Sequence, residues 1–298
     1  MGRHRVAVFL LPAMLALLLA GCRRETGENA TAIPGASAPA AAVKELTTHL
    51  VAGDFAAFAR DAVPPDLHTR LDTAWREGRT RWPLDELPLS DTHPRALAAL
   101  AADDAEASLQ RTFDRQFANA GAELRQTAAA LGLFGVQFIQ QQSQYSESER
   151  QHLSQVVAAL SAWAGQAPLT DREHAAAAIA LLTDAAREAG LTSAEDFAEA
   201  GMDDALQRMT PVVAAGKQAL KLYGLDLDAD LSAMETTLQS QTGDSAKVRL
   251  QYTLAGQPID TVVDVERRDG RWYVSDFIAN VEAAVAVAAS ASEPADNR

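Results

Sequence analysis

The stretch "AKVRLQYTLAGQPIDTVVDVERRDGRWYVSDFI", Ala246 to Ile278, decides the fold class because its apolar residues repeat every second position. Val248, Leu250, Tyr252 and Leu254 alternate with Lys247, Arg249, Gln251 and Thr253, the pattern of a strand with one face buried and one wet. Ile259, Thr261, Val263 and Val265 form a second such series. Arg268-Asp269-Gly270-Arg271 then supplies the Asp-Gly pair of a tight hairpin before "WYVSDFI". Three antiparallel strands are predicted over 245–278. A sheet that small is stable only when its apolar face packs on helices.

Upstream the period changes to that of helices. Leu46, Leu50, Phe55 and Phe58 open the first apolar series, with Gly53-Asp54 interrupting it, and Pro64-Pro65 separates it from Leu67, Leu71 and Trp75 at four-residue spacing. "RWPLDELPLSDTHP", residues 81–94, carries three prolines and reads as an irregular loop. Leu109, Phe113 and Phe117 mark another helix, and Leu124, Ala128, Leu131, Gly135 and Phe138 mark the next. Ser146-x-x-Glu149, Thr170-x-x-Glu173 and Thr192-x-x-Glu195 have the hydroxyl and glutamate of a capping box, while Gly165, Gly190 and Gly224 fall where left-handed helix stops belong. The predicted fold is α+β, mostly α: a multi-helix bundle with a small C-terminal three-stranded antiparallel sheet. The expected packing places Phe55 or Phe58 on the sheet face that includes Val248, Leu250 and Val263, which would make one domain of the whole.

The N-terminus reads differently. Arg3, His4 and Arg5 precede an apolar run from Val6 to Ala20, too short for the ~17–25 residues of a bilayer span and suited to a secretory signal. It ends in Leu19-Ala20-Gly21-Cys22, and Cys22 is the only cysteine of the 298 residues. This segment resembles the lipobox of bacterial lipoproteins. The resemblance implies cleavage before Cys22, acylation of its sulfur with chains such as palmitate, and, because Arg23 rather than aspartate follows, sorting to the inner leaflet of the outer membrane with the body facing the periplasm. Residues 1–21 are thus expected to be a signal peptide and 22–42, rich in Ala, Gly, Pro, Ser and Thr, a lipidated disordered tether. A single helical domain over 43–290 and a disordered tail over 291–298 complete the expected organisation.

"LVAGDFAAF" near the start and "GDSAKVRLQYTL" with "VVDVERRDGRWYVSDF" near the end resemble the opening helix and closing strands of NTF2-like or small cystatin-like domains found in many bacterial lipoproteins. The long helical middle departs from that pattern, and no functional residue carries over from it.

The formal net charge is −14, and removing residues 1–21 takes away Arg3 and Arg5 and no acid, which makes it −16. Such a balance excludes nucleic acid as a partner, since affinity there comes from phosphate neutralisation. It also excludes an electrostatic grip on anionic lipid, so the acyl chains would make the membrane contact. No serine elbow, S-x-x-K, H-E-x-x-H, Walker loop or dinucleotide glycine motif occurs. His49, His68, His93, His152 and His174 are scattered without a local metal pair. Asp226-Leu227-Asp228-Ala229-Asp230 begins like a calcium loop, but Leu231 stands where the turn needs glycine and Thr237 where it needs glutamate. Those acids read instead as the N-terminus of a helix continuing through Leu231, Met234 and Leu238. No metal and no cofactor is expected.

One stretch interleaves aromatic and basic residues: "WREGRTRW", with Trp75, Arg76, Arg79, Arg81 and Trp82 against Glu77 alone. Guanidiniums and indoles in that order could contact a small anionic ligand or a glycan. The competing reading makes Trp75 core and the arginines a solvated helix end. Gln137, Gln140, Gln141, Gln142 and Gln144 read as a polar helix end. The expected function is a non-catalytic binding or scaffold role in the cell envelope, toward an envelope protein. The alternative is a small-molecule or lipid-binding module with a cavity between sheet and helices; an envelope hydrolase would need a site assembled only by folding.

Overall fold

The structure, a computed structural model, describes residues 34–87, 90–143 and 145–291. The signal segment, Cys22 and residues 23–33 lie outside the described residues, as does the tail beyond Ala291. The fold is α+β and mostly α: helices α1 (Pro39–Ala52), α2 (Phe55–Ala62), α3 (Pro65–Arg76), α4 (His93–Ala101), α5 (Ala105–Gln116), α6 (Gly121–Gln140), α7 (Glu147–Ala164), α8 (Arg172–Ala189), α9 (Ala194–Ala200), α10 (Met202–Arg208), α11 (Thr210–Leu222) and α12 (Leu227–Leu231) precede the sheet. Strands β1 (Glu235–Thr242), β2 (Ser245–Leu254), β3 (Gln257–Arg268) and β4 (Arg271–Val274) follow, and α13 (Ser275–Ala291) closes the described chain.

The sheet is an antiparallel meander in the order β1-β2-β3-β4. Strand β2 alternates as its sequence demands, with Ala246, Val248, Leu250, Tyr252 and Leu254 buried and the residues between them exposed. On the wet face Lys247 pairs with Asp264 at 2.7 Å, directly across the register, and Arg249 Nε reaches Asp260 at 2.9 Å. Asp269 and Gly270 have φ of 50° and 78°, so the β3–β4 hairpin has the two left-handed residues that match strand twist. Ala255 and Gly256 repeat this at the β2–β3 turn, where the left-handed Ala255 donates its N–H to Asp230 Oδ2 at 2.6 Å.

Four differences from the sequence reading have identifiable causes. The sheet has a fourth strand, β1, in place of a helix continuing through Met234 and Leu238. Helix α12 stops at Leu231, and β1 is an exposed polar edge whose residues show no apolar alternation. Second, "WYVSDFI" is a strand only to Val274; Phe277, Ile278, Val281 and Val285 are buried at helical spacing in α13. The sheet therefore spans 235–274 and not 245–278.

Third, the tether expected over 22–42 ends earlier, because α1 starts at Pro39. Ala40 to Ala42 carry no apolar period, yet alanine is the strongest helix former and proline suits the first turn. Just before it, Ala36 exchanges two backbone hydrogen bonds with Trp272, at 3.1 and 2.9 Å, and Tyr273 donates to the Pro34 carbonyl at 3.0 Å. The chain is thereby fastened to β4. At the other end, Ala291, assigned to the tail, is the last residue of α13.

Fourth, α1 and not the phenylalanine-bearing α2 lies across all four strands, while α2 reaches β4. Phe58 stacks on Trp82 at 5.9 Å and meets Phe277 edge-on at 5.5 Å. Even so, one core runs from Ala36 to Val285 and includes Phe55, Phe58, Val248 and Leu250.

The helix signals mostly hold, with small shifts. Ser146 and Glu149 form the expected capping box. Asp171, not Thr170, caps α8, and Ser193 with Asp196 caps α9 in place of Thr192 with Glu195. Gly190 and Gly224 are left-handed, but Gly165 is an ordinary right-handed residue at φ −67°.

Candidate functional site

Between α6, α7 and α11 lies an open chamber of about 690 Å3. Its walls follow from the sequence of each helix. On α6, Leu124, Ala128 and Leu131 face it at helical spacing; on α7, Val157, Leu160 and Ala164 do; on α11, Val213, Gly216 and Leu220. Phe55, Leu87, Leu225 and Leu227 close the inner end.

Small residues set the spacing of the two long helices. A Cβ on Gly132 would lie 2.1 Å from Ser161 Oγ, and one on Gly135 would lie 3.1 Å from Val157. Ser161 donates to the Ala128 carbonyl at 2.8 Å, so its hydroxyl is engaged within the helix pair. Beyond this contact a short cluster of Ile139, Tyr145 and Leu153 ties the α6–α7 turn together. The opposite wall, α11, stands off. A Cβ on Gly216 would meet nothing within 4 Å, because the chamber lies in front of it.

The polar groups of Ser161, Trp163 and Lys217 in the walls are already engaged. Among the described residues of the lining Lys217 is the only charged one, and its ammonium donates to the Val51 carbonyl at 2.6 Å and to Asp228 at 2.8 Å. Trp163 Nε1 donates to the Tyr223 carbonyl at 2.9 Å. What faces the chamber is therefore mainly hydrocarbon, with the Thr127 hydroxyl beside it and the Lys217 charge compensated.

α7 owes its position to its other face. His152 and Tyr252 share a hydrogen bond of 2.9 Å between helix and sheet, and burial pushes the imidazole down to about 4, so it is neutral. Burial likewise raises the Tyr252 phenol.

Comparisons with family models, with curated proteins and with solved structures found no match.

The stretch Trp75 to Trp82 lies elsewhere and is occupied by structure. Trp75 is buried, with Nε1 donating to the Phe197 carbonyl at 2.7 Å, and Trp82 is buried between Phe58 and Phe277. Arg76 pairs with Asp72 at 3.0 Å, Arg79 with Glu77, and Arg81 lies 3.9 Å from Asp85 and 6.0 Å from the Phe197 ring centre. The two indoles are core and the three guanidiniums are paired, which is the arrangement of the solvated helix-end reading. Next to them Glu86 is buried, and desolvation with the Asp85 charge pushes its carboxyl up to about 7.

The acids tested as a calcium loop have other work: Asp226 caps α12 by accepting from Ala229 N–H at 3.1 Å, Asp228 pairs with Lys217, and Asp230 holds Ala255. Among the described residues no three His, Cys, Asp or Glu side chains converge on a metal-sized point. No helix among them is long and apolar enough to cross a membrane.

The chamber walls were visible in the sequence only as a helix period in Leu124, Ala128 and Leu131. A further signal is the complete absence of charge from Gln126 to Ser146. The expected cavity between sheet and helices is not where this one lies; α6, α7 and α11 form it, away from the strands.

Proposed function

We propose that this chain is a lipid-anchored, periplasm-facing protein of the outer membrane whose body binds an uncharged apolar ligand, such as a hydrocarbon chain, without transforming it. The chamber carries this reading. Its volume falls within the ~300–1,000 Å3 of ligand sites, and its walls offer carbon surface with no unpaired charge. Apolar area buried there would supply the affinity, at about 0.8 kcal/mol per methylene. The compensated Lys217 would not discriminate for an acid, so an alcohol or ester should bind as well as a carboxylate. The anchor part of the proposal is supported by Leu19-Ala20-Gly21-Cys22 and its likeness to a lipobox.

Displacement of a fluorescent naphthylamine probe tests the ligand: long-chain alcohols should displace it and short-chain ones should not. Probe binding that survives filling of the chamber by Gly216→Leu would refute it. For the anchor, a Cys22→Ser chain should fail to incorporate labelled palmitate, and incorporation by that variant would overturn the assignment.

A further inference from the structure

Six large apolar side chains are exposed among the described residues, and four belong to α6: Leu131 at 65%, Leu133 at 66%, Phe134 at 65% and Phe138 at 44%. Leu131, Phe134 and Phe138 recur at three and four positions, so they form one stripe, and Leu131 is also a wall of the chamber. The stripe lies in the segment from Gln126 to Ser146 that has no charged residue, in a chain in which 22% of residues are charged. Among the described residues α6 packs on the body through α7 alone in its substantial contacts, so none of them covers its outer side.

We propose that this outer face of α6 docks on the bilayer surface that holds the anchor, with the mouth of the chamber beside it. The inference rests on the anchor reading, which selects the occupant. Cys22 is twelve residues from Pro34, where the described body is fastened to β4, and even fully extended that length spans at most about 40 Å. An acylated Cys22 would thus confine the body to the neighbourhood of headgroups. A second copy is a poorer fit. The exposed parts of the four side chains offer roughly 450 Å2, well below the ~800 Å2 per partner of a stable interface. A bilayer needs no such matched area: a helix with large apolar side chains on one side lies in the headgroup boundary. The acidic body makes the contact hydrophobic instead of electrostatic, so it should be insensitive to salt.

The full mature chain carrying Cys22→Ser, which cannot be acylated, is mixed with phosphatidylcholine vesicles and sedimented. It should partition onto them equally at low and high salt, and the exposed double variant Leu133→Ser/Phe134→Ser, with helicity checked by circular dichroism, should lower the partition coefficient about tenfold or more. Gly216→Leu, which blocks the chamber, should leave partitioning unchanged, so loss of ligand binding and loss of docking are read separately. Should wild type carry no palmitate while the Cys22→Ser chain still partitions through Leu133 and Phe134, the anchor reading falls and the docking stands. Absence of partitioning, equal partitioning of the double variant, or a dimer abolished by that variant would each overturn the docking.

Discussion

Gln155 grips the backbone of Asp260 from both directions, its Oε1 accepting from the Asp260 N–H at 3.0 Å and its Nε2 donating to the Asp260 carbonyl at 3.1 Å. Strand β4 pairs with β3 only from Val265 onward, so Asp260 lies on a length of β3 that has no strand on that side. The side-chain amide takes the place of the missing neighbour. It also fixes α7 to the sheet through one face while Val157, Leu160 and Ser161 on the other build the chamber.

Replacing Gln155 with leucine should therefore cost about 1–3 kcal/mol, the scale of leaving partly buried backbone groups unpaired. Gln151→Leu, at an exposed position one turn earlier in the same helix, is the control and should be nearly neutral. Urea denaturation of both variants measures the difference. Equal midpoints would show that the amide contributes no net stability.

Gly216 allows a gain of stability to be separated from a loss of binding. It sits inside α11 with helical backbone and empty space before it, so alanine there should stabilise by about 0.5–1 kcal/mol through helix propensity alone. Leucine should retain that benefit and also fill the chamber. Thermal melts should rise for both variants, with probe binding lost only for leucine.

At Gly132 the sign reverses. A methyl group would meet Ser161 at its Oγ and also at its Cβ, 2.5 Å away, and the Cβ cannot rotate out of the way. Gly132→Ala should cost about 1–3 kcal/mol despite its better helix propensity, by pushing α6 off α7. The paired variant Gly132→Ala/Ser161→Gly should recover most of the loss. If Gly132→Ala melts like wild type, the close approach of these helices is not required.

Much of the architecture was legible because burial leaves a period in the sequence. Strand β2 shows this plainly, as do the Asp-Gly hairpin at 269–270 and the capping box at Ser146. The caps at Asp171 and Ser193 fall one position late because two cap-competent residues stand side by side in each case, and Thr192 still donates to Asp196 at 3.1 Å. Strand β1 was illegible for the opposite reason. Its edge position buries almost nothing, so Thr236 to Thr242 had no pattern to impose, while Leu231, Met234 and Leu238 mimic a helix. The chamber was hidden more deeply: a period in Leu124, Ala128 and Leu131 announces an apolar face but not whether a packed core or an opening lies in front of it.

Two buried titrating groups should give the protein a pH profile that conceals its own causes. His152 is held near 4, below its ordinary 6.5, so folding disfavours its protonated form: its contribution is complete above 6.5 and is lost as pH falls toward 4, by about 3 kcal/mol. Glu86 is raised from 4.5 to about 7, so folding favours its proton: its contribution is complete below 4.5 and is lost as pH rises through 7, by a similar amount. Between about 4.5 and 6.5 the contributions of these two groups oppose each other and nearly cancel, while Asp276, whose carboxyl is pushed up to about 6 by desolvation, adds a fall of its own as pH rises. Each substitution should expose the other group. Relative to wild type, Glu86→Gln should tilt stability upward with pH across that window, and His152→Gln should tilt it downward. Denaturant midpoints at three pH values within the window are sufficient to see the opposite tilts, and variants that both run parallel to wild type would show that neither side chain titrates as its burial requires.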